Sequence, residues 1–165
     1  MVVVDATECV IRRPCLSWFQ TMTYSGYKKK NTLKYEVAIC EESGLPISYS
    51  GPFSGPTADI SIFRSSLLDR MVENDWYGLA DGTYHGEGDR LLVPPRPYHG
   101  LSFFEKCVYS HLAKRRVIIE NFLWRVKSFD CVNQRFRHES FLHHFIFHAV
   151  VNLVAIDVKF RPIRK

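Results

Sequence analysis

Apolar and polar positions alternate along the first third of this chain and then switch to helical spacing in its last third. Val2 to Ile11 is apolar and β-branched, interrupted by Asp5 and ended by Arg12, Arg13 and Pro14, which predicts a first strand. A polar loop rich in lysine and tyrosine, YSGYKKKNT, follows. Lys34 to Cys40 reads as a second strand, Glu41 to Gly44 as its turn, and Pro46 to Phe53 as a third strand closing a hairpin. The loop GPFSGPTAD opens a helix with Thr57 or Asp59 as N-cap, and Ile60, Phe63, Leu67 and Met71 recur along one face. Trp76 to Ala80 is a fourth strand. Beyond the proline-rich VPPRPYHG, a basic helical region carries Val117, Ile118, Phe122, Leu123 and Val126 at helical spacing, from Lys114 to about Phe129. A last apolar helix runs from Phe141 to about Ile156. No internal repeat and no long linker divides residues 1–165, so one domain is expected.

Composition narrows the class. The chain has 46% hydrophobic and 24% charged residues, a globular balance that excludes wholesale disorder. A net charge of +5 leans towards a polyanionic partner. Five scattered cysteines, odd in number and without a CxxC pair, read as free thiols in a reducing compartment. No run of about 18 apolar residues is present, so no membrane-spanning helix is expected, and the N-terminus lacks the features of a secretion signal.

The stretch WYGLADGTYHG sets Asp81 where a strand stops and the backbone turns. Three strands, a helix and a returning fourth strand can bring the middle of the first strand, with Asp5, beside the end of the fourth, with Asp81. On the following helix Glu120 lies four residues after Arg116 and seven before Lys127, so all three share one face. Two strand carboxylates and one helix carboxylate converging would repel one another without a cation between them. Hard oxygen ligands suit Mg²⁺ or Mn²⁺, and a pair of such ions can serve phosphodiester cleavage.

The blocks VDATE, YSGYKKKNT, GPFSGPTADISIFR, LADGTY and RRVIIENFLWRVK, in this order, resemble the catalytic domain of DDE-type transposases of the Harbinger-like and related insertion-sequence kind. The tail QRFRHESFLHHFIFHAVVNL is similar to the closing segment of those domains, so the resemblance covers nearly the whole chain. It implies an α/β, RNase H-like fold with a five-stranded mixed sheet flanked by helices, and Asp5, Asp81 and Glu120 as catalytic metal ligands. It further implies a Mg²⁺- or Mn²⁺-dependent endonuclease that cleaves DNA and transfers strands. The expected partners are DNA, a separate DNA-binding protein and further copies of the chain. The expected location is the nucleus in a eukaryote and the cytoplasm otherwise, without secretion. Ala113 stands where some members carry tyrosine, and the helical N-terminal DNA-binding region usual before the first catalytic strand is absent from this sequence.

Other roles compete for the same residues. Asp81 can simply cap a turn, and Glu120 can be a solvated residue pairing with Arg116 and Lys127 for roughly a few tenths of a kcal/mol. Asp59, the rival second aspartate, reads as a cap or a support for the substrate loop, outside the carboxylate cluster. Lys28, Lys29 and Lys30, flanked by Tyr24, Tyr27 and Tyr35, are either a solvated loop or cations for DNA phosphates, with Arg116 and Lys127 on the same side. His138, His143, His144 and His148 suggest zinc, but no third or fourth ligand at suitable spacing completes a site. The leading expectation is a nuclease core. The alternatives are a domesticated or truncated copy that binds nucleic acid or a protein without cutting, and a zinc-binding interaction module.

Overall fold

The computed structural model describes residues 1–66, 77–86, 90–94 and 100–163. Strand β1 (Val2–Val10) lies at the centre of the sheet. Helix α1 (Ser17–Thr23) and the two-residue strand β2 (Tyr24–Ser25) lead into the long strand β3 (Lys30–Cys40). Strand β4 (Pro46–Ser54) closes the hairpin. Helix α2 (Asp59–Ser65) is followed by the short strands β5 (Gly78–Leu79) and β6 (Leu91–Leu92). Two long helices, α3 (Phe103–Lys127) and α5 (Ser140–Phe160), flank the four-residue α4 (Asp130–Asn133).

The sheet is mixed. β1 pairs antiparallel with β3 along its whole length, from Val2 opposite Cys40 to Val10 opposite Thr32, and parallel with β5. β3 pairs antiparallel with β4, and β5 parallel with β6. The order β4–β3–β1–β5–β6 is that of the expected five-stranded RNase H-like sheet, and β2 adds a sixth strand against the first residues of β3.

Alternation along β1 divides its side chains between two layers. Val3, Cys9 and Ile11 join Tyr35, Val37 and Ile39 under α3 and α5, against Ile119, Phe122, Phe147 and Val151. Val2 and Val4 face the other way, into a smaller core with Ala38, Phe63, Ala80, Tyr84 and Leu91. Gly78 belongs to the close approach of β6: a Cβ there would collide with a Leu91 methyl.

Several boundaries depart from the sequence reading. α3 begins at Phe103 rather than Lys114, because Ser102 and Glu105 form a capping box that starts the helix. Its first turns carry the exposed Phe103 and Phe104 and show no buried stripe, so periodicity alone does not reveal them. α1, β2, β6 and α4 were not expected; each is too short for a periodic signal. The N-cap of α2 is Ala58, without a side-chain cap bond, rather than Thr57 or Asp59. The expected Leu67, Met71 and Trp76 lie outside the described residues.

By length and composition α5 could cross a membrane, with 21 residues and mean hydropathy 1.6, contrary to the expectation from the raw sequence. Its stripe His143, Phe147, Val150, Val151, Val154 and Val158 is buried in the protein, which is how a core helix packs. Phe147 stacks on Tyr35 at a centroid distance of 3.9 Å. The Tyr35 hydroxyl and His143 Nδ1 lie 2.8 Å apart in full burial. Burial, and secondarily the charge of Lys127, push the His143 imidazole down to about 4. His144 stacks near His148, and His148 meets the Tyr49 ring edge-on. The histidines therefore serve packing on this face.

A histidine that titrates at 6.5 when unfolded and at about 4 when folded binds fewer protons in the folded state across that window. Stability should rise with pH from about 4 to about 6.5 on this account. In paired denaturation titrations, His143→Gln should remove an acid sensitivity on the order of 3 kcal/mol. Parallel pH profiles for the two proteins would count against it.

Candidate active site

The parallel register places the two aspartates. Val2 lies beside Gly78 and Val3 beside Leu79. Two further steps along both chains bring Asp81 alongside Asp5. Asp81 lies two residues past the end of β5 and caps the 3₁₀ turn Gly82–Tyr84, its Oδ1 accepting from the Thr83 N–H at 2.8 Å and also from the Thr83 hydroxyl. The turn-capping role is therefore real, and it anchors the carboxylate at the sheet end.

Asp5 is partly buried, and its Oδ1 accepts from the Ala6 N–H at 2.8 Å. Burial is the main cause that lifts its carboxyl from 3.8 to about 7. The Ala6 hydrogen bond opposes the rise, Asp81 adds to it, Arg116 opposes it, and Asp59 adds a smaller repulsion. Asp5, Asp81 and Arg116 thus share one electrostatic neighbourhood.

Glu120 stands on the same face of α3 as Arg116, whose Nη2 lies 3.6 Å from Glu120 Oε1. Its side chain is 56% exposed, and it is not among the principal charges acting on Asp5. Among the described residues no three His, Cys, Asp or Glu side chains are grouped closely enough to hold a metal ion. The two aspartates come together here, and the glutamate is linked to them through Arg116.

Asp59 has a different environment. Lys34 Nζ donates to its Oδ1 at 2.9 Å and to the Thr57 carbonyl at 2.9 Å, and lies 3.7 Å from Glu8. The salt bridge ties the start of α2 to β3. Lys127 also turns inward: its Nζ donates to the Glu8 carbonyl at 2.6 Å and lies 3.4 Å from Cys9 Sγ, stapling the end of α3 to β1. Lys28 and Lys29 lie in the turn before β3 and Lys30 opens that strand, all three exposed.

Glu36 went unnoticed in the sequence reading. It sits opposite Ala6, only 2% exposed, with Oε1 lacking a hydrogen-bond partner. Burial lifts it from 4.5 to about 7; Ser66 opposes this, and Asp59 reinforces it. The signal was present, since a glutamate inside the run LKYEVAIC must lie in a layer of its own. Strand alternation alone assigns it to solvent, but α2 and the Tyr84 turn cover that face.

The oxygens of Asp5 and Asp81, two half-buried carboxylates in mutual repulsion, are of the kind that suits a hard divalent cation, since that repulsion is relieved once a cation is bound. A central strand with a partly buried aspartate, a parallel neighbour followed by a second aspartate and a helix bearing Arg116 and Glu120 are set on an RNase H-like fold. The family profile described as DDE superfamily endonuclease matches residues 4–156, and the chain belongs to that family. No curated protein and no solved structure gives a significant match.

Glu36 titrates higher when folded than when unfolded, so its favourable contribution is complete below pH 4.5 and is lost as pH rises to about 7. Glu36→Gln should therefore gain on wild type across that interval, by on the order of 3 kcal/mol at its top. Chemical denaturation at the two ends of the interval reads this directly; a constant difference would show that Glu36 is not ionising within the fold.

Proposed function

We propose that this chain is the catalytic core of a divalent-metal-dependent DNA endonuclease that cleaves phosphodiester bonds and transfers DNA strands. The adjacency of Asp5 on β1 and Asp81 just past its parallel neighbour carries the reading, supported by the lift of the Asp5 carboxyl to about 7 through burial and Asp81. Asp5, Asp81 and Glu120 would hold Mg²⁺ or Mn²⁺. When bound, such ions lower the pKa of an attacking water and stabilise the leaving oxygen of an in-line displacement.

The protein's own groups prepare that chemistry. Thr83 donates both its N–H and its hydroxyl to Oδ1 of Asp81, which fixes the carboxylate and leaves the other oxygen for a ligand role. Arg116 lies between Asp5 and Glu120 in charge terms and is only 21% exposed. It can orient Glu120 and offer its guanidinium to a phosphate oxygen. DNA is the substrate on this reading.

A second reading, nucleic-acid binding without cleavage, draws on the exposed Glu120 and its pairing with Arg116. Nicking of supercoiled plasmid in Mg²⁺ or Mn²⁺ separates the two. Asp81→Asn retains a cap acceptor for Thr83 but loses a charged ligand, so cleavage should fall at least about a hundredfold without loss of stability in the metal-free protein. Divalent ions should stabilise wild type by about 2.7 kcal/mol at a hundred times the dissociation constant, and the variant much less. DNA affinity without nicking or ion-dependent stabilisation would favour the binding-only reading.

A further inference from the structure

We propose that a basic cleft at the far end of β1 binds a backbone phosphate of the same DNA, away from the bond to be cut. The inference rests on the reading of Asp5 and Asp81 as the cleavage site, but the cleft is separate from them. It has a volume of about 360 Å³ and is lined by Arg13, Lys29, Lys30 and Arg135, with Tyr24 and Gln20 beside them. Among the described residues no acidic side chain lines it.

The cleft is a built feature. Its walls come from four segments joined by backbone hydrogen bonds: Ile11 N–H to the Asn31 carbonyl at 3.0 Å, Arg12 N–H to the Phe136 carbonyl at 2.8 Å, and Phe136 N–H to the Val10 carbonyl at 2.9 Å. Asn31, 7% exposed, commits its side-chain amide to the Gln20 carbonyl and the Thr23 hydroxyl, fixing α1 against β3. Lys29 is held with φ at 52°, the left-handed region that residues other than glycine rarely adopt.

The cations of the cleft are gathered around one concavity with no carboxylate to offset them among the described residues. Arg12 pairs with Glu139, Lys34 with Asp59, Arg115 with Glu41, and Arg125 and Arg161 with Asp157. Among the described residues none of Arg13, Lys29, Lys30 and Arg135 has a carboxylate partner. Four cations around one concavity repel each other and favour an anion, and the planar guanidinium groups suit a phosphate. The half-exposed Tyr24 ring adds a surface against which a sugar or base can rest.

The position of the cleft, on the strand that carries Asp5, favours DNA as the source of that phosphate. Val10, on the cleft, is five residues from Asp5 along one strand, which at about 3.3 Å per residue is about 17 Å. A duplex that reaches Asp5 carries charged phosphates all along its axis, at about one per 3.4 Å of axis on each strand, so it presents phosphates within that distance of the cleavage site.

The test measures anisotropy of a labelled duplex in EDTA across a potassium chloride series, for wild type, Arg13→Ala/Arg135→Ala and Lys29→Ala/Lys30→Ala. Each double variant should flatten the slope of log affinity against log salt by up to about 0.9, the contribution of one phosphate no longer neutralised. A control of equal charge change, Lys106→Ala/Lys159→Ala, should leave the slope near wild type. Unchanged slopes in both cleft variants, or equal flattening in the control, would overturn the cleft even if wild type nicks plasmid in Mg²⁺. Flattening confined to the cleft variants, with no nicking by wild type, would keep a phosphate-binding cleft but remove the cleavage site it was measured from.

Discussion

The fold turns on the position of β1 between an antiparallel neighbour and a parallel one. Its ladder with β3 is continuous from Val2 to Val10, and on its other side β5 is only two residues long. A slip of one residue would send Val3 and Cys9 out of the main core and turn Asp5 to the opposite layer. The burial of Val3, Cys9 and Ile11 under α3 and α5 therefore holds the register that sets Asp5 next to Asp81. The short β5 contributes little pairing of its own. It is held in place by β6 behind it and by Leu79, which is fully buried.

Charge is distributed unequally across the two faces of this sheet. On the α2 face, Lys34 lies between Asp59 and Glu8, so those carboxylates are compensated within the protein. Glu36 on the same face lacks such a partner and responds by holding its proton. On the α3 face, Lys127 is committed to backbone and thiol contacts at Glu8 and Cys9, which leaves Arg116 as the cation acting on Asp5. One guanidinium shared with Glu120 does not offset both burial and Asp81, and the Asp5 carboxyl stays near neutrality. This deficit of positive charge is the physical argument for a cation at the proposed site.

Much of this was legible in the chain. Strands β1, β3 and β4 carry β-branched and alternating residues strong enough to be read directly, and α5 and the second half of α3 show their apolar stripes. Asp5 and Asp81 stood out because each interrupts an apolar run at a strand. The missing pieces have a common cause: α1, α4 and β6 are too short for a period, and the first turns of α3 bury nothing, so only the Ser102–Glu105 cap announces them. Glu36 was hidden for a related reason, since alternation states which residues share a face but not whether that face is covered.

The sequence by itself determined which residues of the long strands share a face, the order of the long elements and the family to which the chain belongs, because these follow from local periodicity and ordered motifs. Only the tertiary structure decided which charges meet. Lys127 and Arg116 share a helix face and look alike in sequence, yet one is committed to the Glu8 carbonyl and the other acts on Asp5. Arg12 and Arg13 are adjacent, yet one pairs with Glu139 and the other opens onto a basic cleft. Coulombic interaction depends on separation in space and on the water excluded between groups, and neither quantity is written in sequence distance.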